Sequence, residues 1–184
     1  MRFAVVMREI WLVRHGLTEW ARDHRHTGRT DVPLLPEGEE AARALATRLD
    51  RDWAAVVSSP LQRAWRTAEL AGLTPVAEPD LVEWDYGQAE GLTTAEMGPG
   101  WSVWDAAHLG ETVEDVAART KRVLERLPED GDCLLVAHGH VLRILTAVYL
   151  ELAPRDAKHL VLEPTRLAVL GHEHTWPAVK GWNL

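Results

Sequence analysis

Cysteine is all but missing: Cys133 stands alone among 184 residues. The chain can form neither an internal disulfide nor a multi-cysteine zinc cage, and it makes no claim on an oxidising compartment. Long apolar runs are missing too, since the stretch from Phe3 to Met7 is cut by Arg8 and Glu9, far short of a signal-peptide core or a membrane span. A cytoplasmic protein with no membrane partner is expected. Positive charge is in deficit, with 20 Lys and Arg against 28 Asp and Glu and a formal net charge of −8, which removes the basis for nonspecific attraction to nucleic acid or anionic lipid. Any anion site must be local. Phenylalanine and tyrosine are scarce, one and two, yet there are nine tryptophans. Large rings contribute most when packed, so most of the nine are expected in the core or a pocket wall.

What is present fits one domain spanning residues 1–184, because chains spend roughly 100–200 residues per domain. With 46% hydrophobic and 26% charged residues, the composition is globular. Met7 directly precedes Arg8, so the first residues, up to residue 8, read equally as an upstream start or as an ordinary flexible terminus. Short apolar runs predict strands at 9–13, 54–57, 133–137, 160–162 and 166–170, with an edge-like strand at 75–78. Helical spacing of Ala41, Ala42, Leu45, Ala46 and Leu49 predicts a first helix. Ser59-Pro60-Leu61-Gln62 reads as the capped start of a second. A third begins near Thr112, with the stripe Val113, Val116, Ala117, Val123, Leu124 and Leu127, and 141–152 reads as a buried helix. Residues 79–100, rich in Gly, Pro and acidic side chains, read as a functional loop. Alternating strands and helices imply an α/β fold, three layers (α/β/α) around a mostly parallel sheet. Ligands in such sheets sit beyond the carboxyl ends of the strands.

One local echo falls at such ends. Trp11-Leu12-Val13-Arg14-His15-Gly16 and Leu134-Leu135-Val136-Ala137-His138-Gly139 are both apolar strands that deliver His-Gly to a rim. Two imidazoles can therefore meet there. Arg14 is useful at a rim, where a guanidinium grips phosphate oxygens in bidentate fashion. Arg63 falls in the first turn of its helix, where side chain and helix N-terminus favour the same anion.

The stretch Leu12-Val13-Arg14-His15-Gly16-Leu17-Thr18-Glu19-Trp20 resembles the opening signature of the histidine phosphatase superfamily, also called phosphoglycerate mutase-like. The likeness continues, in the family's order, through His26-Thr27-Gly28-Arg29-Thr30-Asp31, Ser58-Ser59-Pro60-Leu61-Gln62-Arg63-Ala64, Glu83-Trp84-Asp85-Tyr86-Gly87, Gly110-Glu111 and Ala137-His138-Gly139-His140. The resemblance implies that His15 is the nucleophile, that Arg14, Arg63 and His138 form a phosphate pocket, and that Glu83 is the proton donor. Chemistry accounts for each role. Neutral imidazole is a competent nucleophile and leaves readily from phosphorus. Two guanidiniums with a second histidine, as imidazole or imidazolium, give a clamp that asks for no metal and no cofactor. A proton donor should be partly desolvated, with a raised pKa. Thr18, Thr27, Gly28 and Tyr86, with Gly139 and His140, are candidates for contacting substrate.

The departures narrow the reading. Leu17 stands where glutamate is common in the family, and Ala21 where the mutase branch carries an asparagine on the phosphoryl group. Residues 97–111 hold no Arg or Lys, whereas phosphoglycerate mutases carry a basic pair in a lid, so the mutase branch is disfavoured. His26-Thr27-Gly28, Trp101-Ser102-Val103-Trp104 and His138-Gly139-His140 with Arg143 look more like the sugar-phosphatase branch, including sedoheptulose-bisphosphatase-like proteins. The expected activity is hydrolysis of a small phosphorylated metabolite. The rivals are a cofactor-dependent mutase, a module that binds phosphorylated ligands without turnover, and metal chemistry at the His-x-His pairs 138/140 and 172/174, which lack the helical spacing of a metalloprotease motif. Trp176 and Trp182 either cover the pocket or join subunits in a homo-oligomer.

Overall fold

A computed structural model describes residues 8–105 and 110–184; the reading of residues 1–7 as an upstream start or flexible terminus lies outside them. Six strands form one mixed sheet in the order β3-β2-β4-β1-β5-β6: β1 (Ile10–Arg14), β2 (Ala55–Ser58), β3 (Val76–Ala77), β4 (Cys133–Ala137), β5 (Leu167–Glu173) and β6 (Trp176–Gly181). The block β3-β2-β4-β1 is parallel, and β5 and β6 are added antiparallel. Central β4 is buried at every residue because helices cover both faces, which is why it reads as an unbroken apolar run. Its Leu134 and Val136 face a core completed by α3 (Gln62–Leu70) and by Leu45 and Leu49, which follow α2 (Pro36–Ala44); Cys133, Leu135 and Ala137 face α4 (Val113–Arg126) and α5 (Gly139–Tyr149). The expected α/β/α layering is present. Among the described residues no helix is long and apolar enough to cross a membrane.

Helix α4 starts as its sequence predicts, with Thr112 and Asp115 in a reciprocal capping box. The start of α3 departs from expectation. Its N-cap is Leu61, with no side-chain cap from its own segment, and Asp31 Oδ1 accepts from Gln62 N–H at 2.8 Å in that role. Ser59 Oγ accepts from Leu61 N–H, ahead of the helix, at 3.3 Å and lies 2.7 Å from His138 Nε2. Residues 160–162 are not a strand. They follow the 3-10 turn Pro154–His159, and their carbonyls serve side chains rather than a ladder: Leu162 accepts from Arg14, and Val161 from Trp182 and Asn183. β6 is an unanticipated strand, joined to β5 by a tight turn with His174 at φ 55°. The tryptophan expectation holds for most of the nine: Trp84 is buried, and Trp11, Trp53, Trp101, Trp104 and Trp182 are half-buried and packed against the core, while Trp20 and Trp65 are half-buried and Trp176 is 72% exposed.

Candidate active site

Parallel pairing of β1 with β4 places Arg14 opposite Ala137, so the residues that follow, His15 and His138, emerge side by side with ring centroids 5.1 Å apart. The backbone N–H of His15 continues the ladder, donating to Ala137 O at 2.9 Å. Its ring is buried, and Nδ1 lies 2.7 Å from Gly16 O. A carbonyl only accepts, so Nδ1 carries the proton and Nε2 keeps a free lone pair. Burial, reinforced by Arg63 and Arg14, holds this pKa well below that of an ordinary histidine. His15 is therefore neutral.

The arginines differ. Arg14 donates Nη1 to Leu162 O at 2.7 Å, while its buried Nε has no partner among the described residues. A buried donor left open beside a cavity is a place for a ligand acceptor. Arg63, fully buried, is spent on protein: Nε on His138 Nδ1 (3.1 Å), Nη1 on Thr30 O (2.8 Å), Nη2 on Thr27 O (3.1 Å) and Gly28 O (2.8 Å). Since His138 Nδ1 accepts, its Nε2–H faces Ser59 Oγ, and burial with Arg63 close by pushes its pKa well down. His138 is thus neutral with both nitrogens occupied, not the imidazolium that the clamp could have used. The loop holding Arg63 hangs on Glu90, whose carboxylate accepts from Gly28 and Thr30 N–H. A Cβ at Gly28 would lie 2.5 Å from both Glu90 Oε2 and Trp84 O, so that residue serves packing.

Glu83, 4% exposed, sits across the cavity at the start of α5. Its Oε1 accepts from Trp84 N–H and Val141 N–H, both at 2.9 Å, and its Oε2 from His140 N–H at 3.0 Å. These donors and the positive end of α5 were not anticipated from the sequence; the burial was.

A cavity of about 120 Å³ joins these groups, space for a few waters or one phosphoryl group. Arg14, His15, Thr27, Glu83, Tyr86, Gly139 and His140 line it. Arg63, His138, Thr18 and Gly28 do not: the first two lie behind the wall, and Thr18 caps the short helix α1 (Glu19–Arg22). Arg25, Val161 and Leu162 line it without having been singled out, and His26, Ala21 and Arg143 had been noted only as parts of motifs. Only Arg25 carried a signal, as a cation directly ahead of the His26-Thr27-Gly28 motif. Tyr86 O–H and His140 Nδ1 are 2.6 Å apart, with Trp84 and Trp104 edge-on to the same imidazole. Burial pushes the Tyr86 phenol well up and the His140 imidazole well down, so both are uncharged.

Comparison with known proteins points to one family. An acid phosphatase from Mycobacterium tuberculosis is 36% identical over 174 residues, covering 89% of this chain and 86% of that one. Sedoheptulose 1,7-bisphosphatase from Saccharomyces cerevisiae is 29% identical, covering 77% and 67%. The solved structure of a Mycobacterium tuberculosis open reading frame matches with a TM-score of 0.87 at 34% identity, covering 96% and 97%. The family model described as histidine phosphatase superfamily (branch 1) matches residues 10–184. With the family model matching nearly the whole chain, and an acid phosphatase 36% identical over most of both chains, the chain belongs to the histidine phosphatase superfamily, branch 1, as a phosphatase.

Proposed function

We propose that the chain hydrolyses a small phosphomonoester, a sugar phosphate best fitting the polar wall of the cavity, through a phosphohistidine at His15. The observation that carries this reading is the pairing of a free Nε2 lone pair on neutral His15 with the unpartnered Nε–H of Arg14 beside the cavity. Nε2 attacks phosphorus while the ester P–O bond breaks, and the departing oxygen takes a proton from Glu83. Oε1 of Glu83 already accepts two N–H groups and Oε2 only one, so Oε2 retains the lone pair that holds this proton. Water then gives a proton back to Glu83 as its oxygen attacks phosphorus. The N–P bond breaks, releasing inorganic phosphate and restoring neutral His15. Arg14 faces the phosphoryl oxygens, while Arg63 contributes its charge from behind, so the positive charge comes from side chains without a metal cofactor.

Mixing enzyme with a radiolabelled phosphomonoester and quenching in alkali should trap label that survives base and is lost in mild acid, mapping to His15. Label at another residue, or turnover abolished by a chelator, would overturn the proposal.

A further inference from the structure

The loop carrying Glu83 is held from outside the cavity. Arg119 on α4, 5% exposed, donates Nη1 to the carbonyls of Asp80 (2.7 Å) and Val82 (2.6 Å), ahead of Glu83. Its Nε and Nη2 meet the Glu111 carboxylate at 2.9 and 3.2 Å. Glu111 grips the other side of the loop: Oε2 accepts from Asp85 N–H at 3.0 Å, and its carbonyl accepts from Trp84 Nε1 at 2.8 Å. Oε2 also meets Arg29 Nη2 at 3.2 Å, between the two residues, Gly28 and Thr30, whose carbonyls hold Arg63. The pair of buried Arg119 and half-buried Glu111 therefore fastens residues 80, 82 and 85 through side chains, with residues 84 and 85 also held on the Glu111 backbone, while neither of its members lines the cavity.

Buried ion pairs are poor sources of stability, because desolvation offsets their attraction. A forked guanidinium meeting carbonyls and a carboxylate does impose geometry. We propose that Arg119 and Glu111 are positioning residues for Glu83, setting the distance from its free lone pair to the leaving oxygen without touching substrate. This rests on the reading of Glu83 as proton donor.

The test compares kcat/KM on an aryl phosphate, whose leaving group departs without help, and on a simple alkyl phosphate, whose alkoxide needs a proton. That ratio ends at enzyme phosphorylation, so later water attack does not enter. Arg119→Lys keeps a buried cation and loses the fork. Glu83→Gln should fall about 100-fold on the alkyl ester, and Arg119→Lys should fall comparably because misplacement of about an ångström costs as much. Both should stay within about threefold on the aryl ester, and the double variant should be no worse than Glu83→Gln alone. Equal loss on both esters by Arg119→Lys, or additivity in the double variant, overturns the proposal. If Arg119→Lys does not fold, Glu111→Gln carries the same comparison, with about a tenfold alkyl-selective loss expected. If that also fails to fold, the pair is structural and the proposal falls. Absence of leaving-group preference in Glu83→Gln itself would sink the proton-donor reading, a failure distinct from one confined to Arg119.

Discussion

The two ends of the cavity are built in different ways. At the inner end Arg14 closes one strand, His15 follows it and His138 follows its neighbour; Arg14, His15 and Arg63 bond to the carbonyls of Leu162, Gly16, Thr27, Gly28 and Thr30, while the His138 ring meets the Arg63 and Ser59 side chains. At the outer end the wall is built of rings packed on one another, with Arg143 held on the carbonyls of Ala157 and Lys158. His26 meets Tyr86 and Trp101 at 5.1 Å, His140 meets Trp104 at 5.1 Å, and Arg143 lies 4.9 Å over the Trp104 ring. Backbone partners cannot be changed by substitution, whereas ring contacts can. On the proposed reading, the inner end takes the invariant phosphoryl group and the outer end whichever leaving group a given phosphatase accepts.

The largest test of this contrast is His15→Ala. Losing the proposed nucleophile should lower aryl phosphate hydrolysis by about 10⁴-fold or more, with the thermal transition retained. Appreciable turnover in the variant would mean that the inner end is not where bonds are made.

The contrast also explains what could be read in advance. Strand ends bearing His-Gly were legible because a fully buried parallel strand is an unbroken apolar run, and its first polar residue marks the rim. Local spacing says nothing of the carbonyls at 27, 28 and 30 that surround Arg63, nor of Asp31 capping α3, since both join segments about thirty residues apart. β6 escaped because the turn residues His174 and Thr175 carry none of the Asn-Gly chemistry that announces a hairpin, and its Trp176 is exposed. Glu83 stood among several loop carboxylates; only family likeness distinguished it, and the backbone donors that hold it are long-range.

Next in size is a pH effect. Burial keeps His15, His138 and His140 neutral, with pKa values well below 6.5 in the folded chain. Below that pH the unfolded chain binds protons that these three rings refuse, so stability is lost as pH falls. The slope should reach about 1.4 kcal/mol per pH unit for each ring between about pH 6.5 and 5, measured as urea unfolding free energy. His138→Gln at the inner end and His140→Gln at the outer end should each remove about a third of that slope, and His26→Gln, whose half-buried ring is lowered less, should remove less. If His138→Gln leaves the slope unchanged, its ring is not held neutral by the fold. The acid limb of kcat/KM should likewise show no inflection from His15 near 6.5.

Gly139→Ala probes the open nitrogen of Arg14. A Cβ there would lie 3.3 Å from both Nε and Cζ of that side chain, and Arg14 has little room to yield because Leu162 O holds its Nη1. A methyl group beside a donor meant for phosphate should raise KM, and the Ki of inorganic phosphate, by about tenfold, as expected for one charge-assisted bond weakened. An unchanged phosphate Ki would show that this nitrogen is not part of the phosphoryl end.

Arg143→Gln should have the smallest effect and bears most directly on the comparison. Arg143 lines the cavity, donates Nε to Ala157 O and Nη2 to Lys158 O, both at 3.1 Å, and stacks on Trp104. Glutamine keeps a donor and removes the charge and the stacking, the latter worth about 0.5–1 kcal/mol at a partly exposed site. If the outer wall handles leaving groups only, an uncharged aryl leaving group should lose no more than about threefold in kcat/KM. A leaving group bearing its own negative charge should lose more, in KM rather than kcat, and the difference should shrink as salt rises. An equal fall for both substrates, appearing in kcat, would place Arg143 with Arg14 at the phosphoryl group and erase the boundary between the two ends.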